Sequence, residues 1–159
     1  MERKFYYIDE EAARTAHEAN SMREYRFNSV TAEYIAAVNE AYDIGEERKQ
    51  HFPDEADRID YLCDKYARLM AEWVNENSRV EAMCPSILIS GAGNFPVNKK
   101  NKQNARRKTM MQKYNDIRAI LDKIRTCGSG AIKSNDQKAL EKLEMKITRL
   151  SDLQEKMKQ

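Results

Sequence analysis

Residues 54–83, DEADRIDYLCDKYARLMAEWVNENSRVEAM, carry the pattern that decides the fold. Within them Ile59, Leu62, Tyr66, Leu69, Trp73 and Val80 recur at steps of 3, 4, 3, 4 and 7, which is a heptad seam rather than the alternation of a strand. Phe52-Pro53-Asp54 ahead of it reads as a helix break and restart, because proline disfavours a helical residue before it and suits the first turn after it. Cys84-Pro85 stops it. Thirty helical residues would span about 45 Å, well beyond an average globular helix, so an elongated arrangement is expected.

The flanking sequence repeats the theme. On the N-terminal side, residues 4–8 (Lys-Phe-Tyr-Tyr-Ile) form an aromatic strand or extended lead-in. Asp9 is the expected N-cap of an acid-first, Ala-rich helix running over Glu10, Ala13, Ala16 and Ala19. After a connection at 20–29, Ser29 or Thr31 caps a second helix through Tyr34, Ile35, Val38, Ala41 and Tyr42, with Gly45 weakening its end. On the C-terminal side, residues 86–97 (SILISGAGNFPV) lack helical character. Ile87, Leu88 and Ile89 are expected as a short buried extended piece, with Gly91, Gly93 and Pro96 fixing a turn.

From about Asn98 to Arg125 a second long helix shows Met110, Tyr114, Ile117, Leu121 and Ile124 at steps of 4, 3, 4 and 3, and Cys127-Gly128-Ser129-Gly130 ends it. A last helix from about Asn135 shows Leu140, Leu143, Ile147, Leu150 and Met157. Two heptad helices joined by a Gly-containing loop predict an antiparallel, coiled-coil-like hairpin. The expected fold is mainly α: an elongated helical bundle with that hairpin at its C-terminal side and a short extended, Gly-containing loop near 85–97. One domain over 1–159 is expected, made of an acidic helical part (1–83), a connecting loop (84–98) and a basic helical hairpin (99–159).

Composition agrees. Five Gly and three Pro in 159 residues argue against a sandwich or barrel, and 34% charged residues suit long solvated helices. Leu, Ile, Val and Phe are sparse, but a net charge of only +2, eight Tyr and eight Met distinguish the chain from a disordered one. Three widely spaced cysteines make neither a disulfide framework nor a Cys-x-x-Cys metal site. No apolar run long enough for a signal peptide or membrane span occurs, which predicts a cytoplasmic protein with no membrane partner.

The +2 conceals an asymmetry. Residues 1–81 hold 19 acids and 11 bases, whereas 82–159 hold 7 acids and 17 bases. Between Glu81 and Asp116 no acid occurs, and Lys99, Lys100, Lys102, Arg106, Arg107, Lys108 and Lys113 lie there. Such a cluster suits phosphate neutralisation, with Gln103 and Asn104 adding hydrogen bonds to a base or backbone. Lys99, Lys102, Arg106 and Lys113 share a helix face by spacing. Cations at a helix N-terminus are unfavourable by about a few tenths of a kcal/mol each, so stability gives no reason for them. The competing reading is a solvated helix start, or a cluster that neutralises the acidic half within the molecule. On the acidic side, Asp57, Asp60 and Asp64 share a face. They read either as a solvated helix start or as a carboxylate row that competes with phosphate for a basic groove on a partner.

Catalytic signatures are thin, and no cofactor or metal is expected. His17 and His51 stand alone, Cys63 adjoins the seam, and Gly91-Ala92-Gly93 departs from phosphate-loop patterns at Pro96 and at Val97-Asn98-Lys99-Lys100. The expected protein is not an enzyme.

The run from Cys84 to Arg106, CPSILISGAGNFPVNKKNKQNAR, with Asn20-Ser21-Met22-Arg23 and Thr31-Ala32-Glu33-Tyr34, resembles a family of small helical proteins of phages and other mobile elements of gut bacteria. The resemblance implies a family that includes a type II-A anti-CRISPR, an inhibitor of Cas9. The motif positions that match are Asn94, Phe95, Pro96, Lys99, Lys100, Lys102, Gln103 and Asn104, and individual roles do not come with the match. The resemblance implies a protein that acts in the host bacterial cell, binds Cas9 or its guide-RNA complex and keeps it from target DNA by occlusion. Cas9 offers both a positively charged channel, which an acidic helix could occupy, and nucleic-acid phosphates, which a basic one could meet. A general DNA- or RNA-binding accessory protein of a mobile element is the alternative.

Overall fold

A computed structural model of the chain describes residues 2–130 and 139–158. The fold is mainly α: among the described residues there are six α-helices, one 3₁₀ turn and no strand. The chain divides into two compact units, Met1–Cys127 and Gly128–Gln159.

The first unit is organised around α3 (Ala56–Ala82), which packs against α1 (Glu10–Asn20), α2 (Ser29–His51) and α5 (Val97–Thr126). Ile59, Leu62, Tyr66 and Val80 of the expected seam are buried, with Leu69 and Trp73 half-buried. A second buried line, Cys63, Ala67, Met70 and Ala71, lies beside them. A single heptad seam implies one partner helix; α3 has three, and Ala67 and Ala71 let neighbouring backbones come close. The Pro53–Glu55 3₁₀ turn makes the expected break before α3.

The lead-in at 4–8 is extended but pairs with no strand. The Lys4 and Tyr6 amides donate to the Tyr42 and Tyr34 hydroxyls at 3.1 and 2.9 Å. Further on, the Asn75 side-chain amide takes the place of a neighbouring strand, accepting from Asp9 N at 2.8 Å and donating to Tyr7 O at 2.9 Å. Asp9 caps α1 as expected, its carboxylate accepting from Ala12 N at 3.0 Å.

The second helix starts at Ser29, but neither Ser29 nor Thr31 caps it. Its cap residue, Asn28, is left-handed (φ 64°) and makes no side-chain cap bond. The job falls to Glu10, part of the acid-first start of α1 and buried here. Its carboxylate accepts hydrogen bonds from Asn28 N, Thr31 N, Thr31 Oγ1 and Tyr25 Oη. Burial alone would push this carboxyl up; the bonds from Thr31 and Tyr25 outweigh it and hold the group below the ordinary glutamate value.

Gly45 does not end α2, which continues to His51. It faces α3, and a Cβ there would lie 2.7 Å from Cys63 Sγ and 3.2 Å from Ile59 Cγ2. At the far end of α2, Arg48 Nη2 donates to Cys127 O at 2.6 Å while its guanidinium stacks on Phe52, tying α2 to the end of α5.

The expected buried extended piece at 87–89 is a correction. Ile87–Ser90 forms one helical turn, α4, whose cap Ser86 accepts from Leu88 N through its hydroxyl at 3.3 Å. Ile87 and Leu88 are exposed, Leu88 at 79%. With Pro85 ahead and Gly91 left-handed (φ 79°) behind, the segment has room for one turn, which Ser86 N ties to α1 by donating to Ala19 O at 2.8 Å.

The second unit contains α6 (Ala139–Lys158), none of whose residues is buried. The expected helix start at Asn135 and the 131–134 part of the hairpin loop lie outside the described residues.

Candidate nucleic-acid interface

The N-terminal half of α5 is where the acid-free, basic stretch lies. Pro96 precedes its first turn, accepting from Lys100 N at 3.0 Å, and Asn94 ahead of it is left-handed (φ 53°), a conformation asparagine tolerates. The rotation of α5 is set by Gln103, Met110, Ile117 and Ile124, buried residues spaced by sevens. Everything basic is therefore distributed around that stripe.

Gln103 is the first member of the buried stripe, not a base-reading side chain exposed to a ligand. Its Nε2 donates to Val80 O at 2.8 Å and to Glu81 O at 3.0 Å, closing off carbonyls at the C-terminal end of α3, and its Oε1 accepts from Lys100 Nζ at 2.7 Å. Arg107 makes a two-pronged pair with Glu81, Nε to Oε1 at 2.7 Å and Nη2 to Oε2. Its pairing holds the guanidinium pKa above its already high ordinary value. Lys113 pairs with Glu76. Two of the seven cations, Arg107 and Lys113, thus join the acidic half, the neutralising role weighed above, while Lys100 is tied to Gln103 on its own helix.

The other four are turned outward. Lys99, Lys102, Arg106 and Lys108 are all exposed, and none forms an ion pair among the described residues; the Arg106 guanidinium reaches only Met83 Sδ at 3.7 Å. At about 100° per residue, Lys102 and Arg106 share one flank of α5 with Lys99 near its start, while Lys108 lies about 120–180° away from them, toward the opposite side. Asn94 is exposed beside this cluster in sequence, Phe95 is half-buried, and Asn104 is exposed and accepts from Arg107 at 3.4 Å.

The acidic trio is committed differently. Asp57 is exposed, Asp60 lies 2.8 Å from Lys49 Nζ, and Asp64 accepts from Tyr6 Oη at 2.8 Å with Lys4 Nζ at 3.7 Å. Two members of the row therefore hold the lead-in and α2 against α3. That work is structural, and it could not be seen from spacing because the partners are far away in sequence.

Groups capable of chemistry are dispersed. Cys63, Cys84 and Cys127 are free and buried; burial pushes the Cys63 thiol up to about 12 and raises Cys127 as well, with nearby Glu55 adding to the latter. The His17 ring nitrogen Nε2 lies 2.9 Å from Arg23 O, and its ring sits against Tyr25. An open depression of about 320 Å³ is lined by Arg14, Glu18, Arg23, Glu24, Tyr25 and Phe27, away from every cysteine. Among the described residues no three His, Cys, Asp or Glu side chains converge to hold a metal, and no helix is long and apolar enough to cross a membrane.

Gln103 was legible in principle, as a polar residue at the heptad position of a seam. Glu10 carried no local signal, since the groups it caps lie 15–21 residues on. Comparison with known proteins finds no matching family model, no similar curated protein and no similar solved structure.

Proposed function

We propose that the chain is a non-catalytic binding protein that meets the phosphates of a nucleic acid, free or within a nucleoprotein complex, through the first turns of α5. The observation that carries this reading is the exposure of Lys99, Lys102, Arg106 and Lys108 without an acidic partner, in a stretch with no acid from 82 to 115. Cations that stabilised only the fold would be paired, as Arg107 and Lys113 are. Four phosphate contacts give a dependence of log affinity on log salt of about −3.6 on duplex and about −2.8 on a single strand. Fluorescence anisotropy with labelled duplex DNA and single-stranded RNA between low and physiological salt measures this directly. Absence of binding to both at low salt would remove the free nucleic-acid form of the reading.

A second, narrower reading is a Cas9 inhibitor that occludes target DNA. What favours it is the resemblance, whose run from Cys84 to Arg106 covers α4, the loop and the first turns of α5, the same segment that carries the exposed cations. A cleavage assay with guide-loaded Cas9 tests it: inhibition is expected, lost when Lys99, Lys102 and Arg106 become Gln. Undiminished cleavage by several Cas9 orthologues at large molar excess contradicts it.

A further inference from the structure

The apolar stripe of α6 is left open. Leu140, Leu143, Ile147, Leu150, Leu153 and Met157 are all exposed, from 44% for Leu143 to 86% for Met157. Helices of this length are marginal in water unless an apolar face is covered, so the stripe calls for a partner. Within the first unit, α5 buries Ile117, Ile120 and Ile124 in the core that it shares with α2 and α3, with Met110 also buried. The large apolar residues that α5 leaves exposed, Val97 and Met111, are four turns apart. The remaining exposed apolar residues of the first unit are scattered over the lead-in, the 20–28 connection, α2, α3 and α4, and no helix-length stripe arises from them.

The pattern of α6 matches itself. In an antiparallel register centred between Ile147 and Leu150, Ile147 of one helix faces Leu150 of the other, Leu140 faces Met157 and Leu143 faces Gln154. Charge favours the same orientation. Glu141 lies in the first turn, with Glu144 following, and Lys156 and Lys158 lie in the last. Lys142 and Glu155 lie in the same two turns, and antiparallel pairing sets Glu141 opposite Lys156 and Lys142 opposite Glu155 and opposes the helix dipoles, whereas parallel pairing sets like beside like. Four acids and five cations along α6 leave little net charge to resist association.

We infer that α6 pairs antiparallel with α6 of a second copy of this chain along the Leu140–Met157 seam. The partner is another copy because this register is self-complementary where Leu140 meets Met157, Ile147 meets Leu150, and Glu141 and Lys142 meet Lys156 and Glu155. The inference is independent of what α5 binds.

Sedimentation equilibrium of the full chain tests it. The expected mass is twice 18.6 kDa, falling toward the single value on dilution. Ile147→Asp combined with Leu150→Asp is expected to give a monomer whose Trp73 fluorescence and first-unit unfolding match the parent. Orientation is read by cross-linking: Leu143→Cys and Gln154→Cys chains, mixed and oxidised, form a disulfide with one another and not with themselves. A parent chain that stays monomeric at high micromolar concentration, a double-Asp variant that stays dimeric, or self-cross-linking of either cysteine variant overturns the inference.

Discussion

Replacing Glu10 by alanine removes the acceptor that α2 uses in place of a cap. Asn28 N and Thr31 N lose their partner, as do the Tyr25 and Thr31 hydroxyls, around a carboxylate only 8% exposed. Hydrogen bonds to a charged acceptor are each worth about 1.5–3 kcal/mol, but they share one carboxylate and do not add. The hydroxyls can turn to water; the two amides cannot move without unwinding the turn. A loss of about 3 kcal/mol follows, which for a unit of this size is a fall in Tm of about 10 °C. Thermal unfolding followed by circular dichroism at 222 nm measures it. The pH dependence supplies a sign. Because the folded Glu10 carboxyl is held below its ordinary value, its contribution is complete above the unfolded value of about 4.3 and is lost as pH falls through the folded one. The gap between parent and Glu10→Ala is therefore flat from pH 8 to about 5 and narrows on further acidification. A Tm within 2 °C of the parent at neutral pH (about the shift of half a kcal/mol), or a gap that widens as pH falls, would refute the capping role.

Other outcomes follow from the same packing. Gly45→Ala gains about 1 kcal/mol of helix propensity but drives a Cβ into Cys63 Sγ and Ile59, for a net loss of about 1–2 kcal/mol. Adding Cys63→Ala relieves the sulfur contact, and a double-mutant cycle in urea should show coupling above about 1 kcal/mol. Gln103→Met keeps the shape and strips Val80 O and Glu81 O of their donor, costing about 1–3 kcal/mol; an unchanged urea midpoint would show that the amide bonds are idle. Cys63, buried and with its thiol raised to about 12, resists iodoacetamide at pH 8 in the folded protein and reacts on unfolding, as peptide mass spectrometry would show.

Much of the architecture is legible in the heptad spacing. α3 and α5 stand within a few residues of where Ile59–Val80 and Met110–Ile124 place them, because long apolar periodicity survives any tertiary arrangement. Partner choice is harder. The Cys63, Ala67, Met70 and Ala71 line on α3 looks unremarkable until three helices crowd round it, and Gly45 reads as a weak helix end until Cys63 is seen against it. Ile87–Ile89, expected as a short buried extended piece, is one helical turn with Ile87 and Leu88 exposed, since β-branched residues are extended only where neighbouring backbone accepts them. Within the basic cluster, composition located α5 correctly but could not sort it. The sorting depends on helix rotation: Gln103 points into the core, Arg107 and Lys113 toward α3, and Lys99, Lys102, Arg106 and Lys108 outward. The carboxylates Asp60 and Asp64 and the cap Glu10 were hidden for a related reason, their partners being distant in sequence.

The most direct test of the phosphate-binding role is the salt slope of binding, measured in parallel on the parent chain and on one carrying Lys99→Gln, Lys102→Gln, Arg106→Gln and Lys108→Gln, against duplex DNA, single-stranded RNA and guide-loaded Cas9. The account predicts that at least one of these binds at low salt, that log affinity falls with log salt at up to about −3.6, and that the quadruple variant loses nearly all of that slope while keeping the parent's Tm. Binding with an undiminished slope in the quadruple variant, or no binding to any of the three, would contradict it.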